Sequence, residues 1–210
     1  MNKKTSSISQ KNCYRLNYHD TMLTRHMSTK IISWLPHLPR EYVAVFIGTD
    51  RSTGDALGPI AGSTLTKMKP KHMTIYGTLH HPVHAQNIHE HIDLIHSQHD
   101  SPFIIAVDAC LGRNHTIGQI ISGTGPVQPG AALNKDLPAL GDLFVTGVVN
   151  MSGYMEHAIL QNTRLSVVTD MAERIASILY TVDQHLTYIK RSPAIVLGAP
   201  TTEQKHSQSL

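Results

Sequence analysis

The feature that most constrains this chain is a short apolar run, Val43 to Phe46, that leads through Ile47-Gly48-Thr49-Asp50-Arg51-Ser52-Thr53-Gly54-Asp55-Ala56-Leu57-Gly58-Pro59 into a segment with helical spacing. The run has no polar alternation and is bounded by a glycine, as expected for a strand buried on both faces. Beyond it, Ile60, Ala61, Thr64, Leu65 and Met68 recur at helical spacing, and Pro59 suits the first helical position, where its missing N–H is not needed. A buried strand feeding a helix is the first half of a βαβ unit. The residues between them therefore line the carboxyl end of a strand, where open α/β sheets place their chemistry.

The rest of the chain follows the same grammar. Asp20 reads as a cap for a helix that buries Met22, Leu23, Met27, Ile31, Ile32 and Leu35, ended by Pro36 and Pro39, with Trp34 packing it onto the sheet. Pro70 breaks the chain before a second strand, Met73 to Gly77, and a helix from about His84 to His99 buries Ile88, Ile92 and Ile95. Phe103 to Val107 is a third strand, apolar throughout and hence central, and Ile117 to Ser122 and Phe144 to Val149 are two more. The Pro- and Gly-containing stretch Thr124 to Leu140 is too long for a simple turn and reads as a substrate-facing loop. A short helix over Tyr154 to Leu160 and a strong one from Arg164 to about Val182, with Val167, Val168, Met171, Ile175, Ile178 and Leu179 on one face, complete the pattern.

Alternating strands and helices predict right-handed crossovers, and so a three-layer α/β/α domain with a mainly parallel open sheet and helices on both faces. If the chain reverses direction after the second strand, the first and third strands lie side by side. Their carboxyl ends then form the switch-point crevice, and Asp55 and Asp108 meet there.

The 210 residues suit a single domain, expected over 20–190, between a polar lead-in (1–19) and a polar tail (191–210), both expected to be disordered. Eighteen basic residues against 15 acidic ones give +3 with histidine neutral, and their scatter calls for neither nucleic acid nor an anionic membrane. Lys3 and Lys4 are followed by no apolar segment, and no stretch is long enough to span a bilayer, so neither signal peptide nor anchor is expected. Cys13 and Cys110 offer no metal spacing or disulfide framework, which fits a cytoplasmic location.

The glycine-rich turn is not a phosphate cradle. It lacks G-x-G-x-x-G, and where a P-loop carries Gly-Lys-Ser/Thr it has Gly54-Asp55-Ala56, whose carboxylate repels phosphate. It does resemble the signature of the YyaC-type sporulation proteins, a family assigned as spore proteases and similar in turn to germination protease and, more distantly, to hydrogenase maturation endopeptidases. The block Val107-Asp108-Ala109-Cys110-Leu111-Gly112 resembles the family's second acidic segment. Thr146-Gly147-Val148-Val149-Asn150 and Leu160-Gln161-Asn162-Thr163-Arg164 are also family-like. The resemblance covers about Ile31 to Asp183. It implies a phosphorylase/hydrolase-like fold, a sporulation-associated peptidase acting on a protein or peptide, and Asp55 and Asp108 as its acidic site.

Two carboxylates in one crevice can share a proton, one then serving as base for a water while the other donates. Read from the residues alone, Asp55 is equally a turn residue and Asp108 a loop-bonding one. Asp50, Arg51, Thr53 and Asn150 are candidate substrate-binding or supporting residues; Arg51 can hold a carboxylate or a substrate carbonyl, or only pair with Asp50. The crowded histidines (His80, His81, His84, His89, His91, His96 and His99) read as solvated helix surface, with His84 set apart because Pro-Val-His-Ala resembles the family pattern. No cofactor is expected. A divalent metal stays open, and would take His84 with Asp55 and Asp108, although the strand Phe144 to Val149 lacks the histidine by which the hydrogenase maturation enzymes hold theirs. Cys110 reads as a small buried residue rather than a nucleophile. A rival reading keeps the fold as a non-enzymatic sporulation factor that binds a partner through the Thr124 to Leu140 loop.

Overall fold

The structure is a computed structural model that describes residues 13–38, 40–130 and 137–186. Six strands form one mixed sheet: β1 (Cys13–Asn17), β2 (Tyr42–Phe46), β3 (Met73–Tyr76), β4 (Phe103–Gly112), β5 (Gln119–Thr124) and β6 (Leu143–Met151). Their order across the sheet is β1-β5-β6-β4-β2-β3. Strands β3, β2, β4 and β6 run parallel, and β5 and β1 continue the sheet beyond β6 through antiparallel pairings. The reversal expected after the second strand is present: β2 lies between β3 and β4, so β2 and β4 are neighbours, in register from Tyr42–Phe103 to Phe46–Val107.

Alternation along the strands sorts their side chains into two cores. Tyr42, Ala44, Phe46, Ile105 and Val107 pack on one face with the helices α1 (Leu23–Ile32), α2 (Leu57–Met68) and α5 (Leu165–Asp183). Val43, Val45, Ile104 and Ala106 face the other way, against Ile88 and Ile95 of α3 (Ile88–Gln98). The longest helix, α5, buries Val168, Met171, Ile175, Ile178, Leu179 and Val182 completely, close to the face read from its periodicity. Its last residue, Asp183, is fully buried and accepts the backbone N–H groups of Lys71 and His72, each at 2.8 Å. That carboxylate pins the end of α5 to the start of β3.

Several expectations are corrected. Residues 13–17 belong to the sheet rather than to a disordered lead-in: Tyr14 and Leu16 pack on the core, and the strand pairs with β5 through five residues. Arg15 and Asn17 alternate with Tyr14 and Leu16 because an edge strand needs apolar residues only on its inward face. Asp20 does not cap α1. Its carboxylate accepts the Met22 N–H at 2.8 Å and its carbonyl the Leu23 N–H at 3.1 Å, closing a turn just ahead of the helix. The third helix begins at Ile88, because Asn87 holds the preceding turn by accepting the His84 N–H and donating to the Pro82 carbonyl. His91 is 2% exposed and belongs to the buried face with Ile88 and Ile95, and half-buried His99 pairs with Glu41 at 2.8 Å, so neither is solvated surface. The expected polar tail, the first twelve residues of the expected lead-in and part of the Thr124 to Leu140 loop lie outside the described residues. Among the described residues no helix is long and apolar enough to cross a membrane.

Candidate active site

The site is set by how β2 ends. Gly48 follows at φ 144°, and a Cβ there would run into the Asp55 carbonyl oxygen, while a side chain on Gly58 would strike the Ile47 carbonyl. The turn therefore folds tightly back on the strand, closed by the Thr49 N–H donating to the Asp55 carbonyl at 3.2 Å. This puts Asp55 in a 3-10 turn, Gly54–Ala56, that leads into α2. Asp108 is reached along β4, one residue past the last β2 partner, Val107.

Two cavities open at this end of the sheet, and Asp55 and Asp108 line both. The first, about 350 Å³, is walled by the turn after β2, by His84 and its neighbours, and by His157 and Gln161 of α4 (Glu156–Gln161). The second, about 280 Å³, runs on from the acid pair along Ala109, Cys110 and Leu111 toward Glu156 and Leu160. The two acids thus sit where two lobes of a cleft join.

Asp108 is half-buried, and its carboxyl pKa is pushed up to about 8. Burial is the main cause; the Ala109 N–H, donating to Oδ1 at 2.8 Å, pulls the other way, and the charge of Asp55 adds to the rise. Asp108 thus carries a proton at neutral pH. His84 is shifted down, chiefly by burial and also by Arg51 and His91, which keeps its ring neutral. The Cys110 thiol is pushed up to about 12 by burial and, further, by Asp108, against a hydrogen bond from Thr146. Burial thus disfavours the thiolate that a nucleophilic cysteine needs.

Among the supporting candidates, Asp50 and Arg51 line the first cavity, and the Arg51 backbone N–H is turned in to Thr49 Oγ1. Thr53 precedes the 3-10 turn and Asn150 is the last residue but one of β6, and neither lines either of the two cavities. Asn150 instead donates to Thr163 Oγ1 at 3.2 Å and to the Ile159 carbonyl at 3.4 Å, tying α4 to the sheet. Sequence reasoning missed Ser52 and His157. Ser52 lines the first cavity at 7% exposure, and its hydroxyl has no hydrogen-bond partner among the described residues. A buried hydroxyl facing a cavity without a partner is a group kept for a ligand or water. Its only sequence signal is its place in the turn.

The resemblance to hydrogenase maturation enzymes raises a metal held by two acids and a histidine. Asp55, Asp108, His84 and His157 all line the first cavity. Yet among the described residues no three His, Cys, Asp or Glu side chains gather as an ion-holding group. The donor set does not fit such a centre.

Against known proteins, the chain aligns with the crystal structure of a NiFe hydrogenase maturation protease, HycI from Thermococcus kodakarensis KOD1, at a TM-score of 0.49 and 16% identity, over 73% of this chain and 98% of that one. It is 44% identical over 187 residues to the uncharacterized protein YyaC of Bacillus subtilis (strain 168), 88% of this chain and 91% of that one. The family described as "protein of unknown function", DUF1256, matches residues 15–178, and the chain belongs to that family.

Proposed function

We propose that this protein is a peptidase-like hydrolase in which Asp55 and Asp108 are the reacting pair. The observation that carries the reading is the shared cleft: two carboxyl groups from separate segments line the same two cavities, one of them held protonated by burial and by the other's charge. Environments that drive two acids apart in this way assign their roles. Asp108 is the acid and Asp55 the base. Asp55 takes a proton from a water whose oxygen attacks the scissile carbonyl carbon, while Asp108 gives its proton to the carbonyl oxygen. As the tetrahedral diol collapses, one hydroxyl returns its proton to Asp108 while the carbonyl re-forms, the C–N bond breaks, and the proton on Asp55 passes to the leaving amine. Arg51 and the Ser52 hydroxyl supply donors for substrate carbonyls along the first lobe. The association with spores rests on the resemblance of the acidic blocks to YyaC-type proteins, and that with the cytoplasm on the two cysteines without a disulfide framework.

Purified protein is expected to trim a fraction of spore proteins, and Asp55→Asn and Asp108→Asn are each expected to abolish trimming while melting cooperatively. Loss of cooperative melting in both would instead assign the two acids a structural role. A partner-binding role without catalysis draws support from Tyr154 and Met155, 100% and 73% exposed just ahead of α4. In a sporulating host, an Asp55→Asn allele that behaves as wild type where a deletion does not would favour that second reading.

A further inference from the structure

The second lobe of the cleft is lined by a stretch of strand that, among the described residues, has no hydrogen-bonded neighbour on one side. Strand β4 is ten residues long, and β6 accompanies it to Gly112, whereas β2 stops pairing at Phe46–Val107, with one more bond from the Ile47 N–H to the Val107 carbonyl at 2.7 Å. In a strand, successive residues turn their N–H and C=O groups to opposite sides. The Phe103 N–H bonds Glu41, and Val107 bonds Ile47, so odd-numbered residues of β4 face the β2 side; Ile104 and Gly112 bond Asp142 and Ser152 on the β6 side. The register irregularity near Cys110 adds its extra residue to β6, since Cys110 pairs with Val148 and Leu111 with Asn150, so the alternation in β4 is kept. Ala109 and Leu111 therefore present their backbone groups to the side that β2 has left.

The Ala109 N–H is taken by the Asp108 carboxylate. Among the described residues, nothing pairs with the Ala109 carbonyl or with the N–H and carbonyl of Leu111 on that side. Ala109 and Leu111 line the 280 Å³ lobe together with Val127, Gln128, Glu156 and Leu160, and Asp55 and Asp108 line it as well. An acceptor, a donor and an acceptor spaced along an extended edge match the backbone of an extended peptide.

We propose that this edge binds the substrate by strand addition: an extended, neutral and largely aliphatic peptide segment pairs with Ala109 and Leu111, and its next peptide bond is delivered to the acid pair. The inference rests on the hydrolase reading and names its substrate geometry. Backbone pairing gives affinity with little side-chain demand, and the apolar lining residues Val127 and Leu160 select aliphatic residues.

The test separates binding from chemistry by using Asp55→Asn protein and a blocked hexapeptide of alternating threonine and valine, alongside the same peptide methylated on every backbone nitrogen. The parent peptide at millimolar concentration is expected to slow amide hydrogen exchange at Leu111 at least tenfold, and the methylated peptide to bind at least tenfold more weakly. Equal binding of the two peptides, unchanged exchange at Leu111, or no binding of either overturns strand addition. Wild-type protein is then assayed for cleavage of the parent peptide. Protection of Leu111 without cleavage sustains the binding mode and counts against the hydrolase; cleavage with Leu111 unprotected sustains the hydrolase and sinks the binding mode.

Discussion

An ionised aspartate at the end of a buried strand is unfavourable, and Asp108 avoids this by keeping its proton to a pKa of about 8, against an ordinary 3.8. Between those values the folded state holds a proton that the unfolded chain releases. Stability contributed at this position is therefore full below about pH 4, falls as pH rises, and levels off above about 8. Asp108→Asn keeps an oxygen for the Ala109 N–H and removes the titration. It is expected to melt higher than wild type, by on the order of a few kcal/mol at pH 8 and by little at pH 4. Melting curves across pH read this with no substrate in hand, and a gap that does not widen with pH would mean that Asp108 is not protonated in the fold. Activity is expected to fall as pH climbs through about 8, when the acid loses its proton, and again at low pH when the base is protonated. Asp55 and Asp108 were legible in the sequence only after a fold had been assumed, because no spacing connects them. Ser52 and His157 were not legible at all: their value comes from the packing of α4 and of the tight turn, which no local pattern reports. His91 misled because a polar residue at a helical core position looks the same, one residue at a time, as one on the surface.

At the scale of elements, strong periodicity was readable and its edges were not. The long helix α5 and the central strands were found by their apolar faces, whereas β1 was missed and β4 was cut short at Val107, since its cleft end carries Asp108 and Cys110 among the apolar residues. The cost of that first miss is testable. Deleting residues 1–17 strips the five-residue edge from β5 and uncovers the core beneath Tyr14 and Leu16. The shortened protein is expected to melt lower and to aggregate through the exposed β5 edge; an unchanged melting temperature and a monodisperse sample would mean that β1 contributes nothing. The clamp at the other end of the fold gives a sharper number. Asp183→Ala leaves the backbone N–H groups of Lys71 and His72 without their carboxylate and is expected to cost roughly 2–4 kcal/mol. Asp183→Asn retains one acceptor and should lose less. Equal losses in chemical denaturation for the two variants would show that packing of the residue, and not its two hydrogen bonds, holds α5 in place.

The whole molecule puts its chemistry where the chain changes direction. Leaving β2, α2 crosses one face of the sheet to β3; leaving β3, α3 covers the opposite face and the chain returns to β4. The two crossovers part at the carboxyl ends of β2 and β4, which opens a cleft without a second domain. That much follows from the order of strands and helices, and it is the reason a sequence reading could reach the cleft. What the order cannot decide is whether the acids there share a proton or hold an ion, since either needs only two carboxylates in one place. Among the described residues no three His, Cys, Asp or Glu side chains gather as an ion-holding group, and the proton-sharing pair is the reading proposed above. His84 then serves as a neutral wall of the cleft, positioned by the Gln86 N–H donating to its Nδ1 at 3.3 Å. Once a cleaved peptide is in hand, activity is expected to survive exhaustive chelation unchanged, and His84→Ala to weaken substrate binding while leaving kcat within about tenfold, the share of a residue that only positions substrate. Activity that chelator abolishes, that one added divalent ion restores, and that His84→Ala removes through kcat would replace the proton pair with a metal centre built on Asp55, Asp108 and His84.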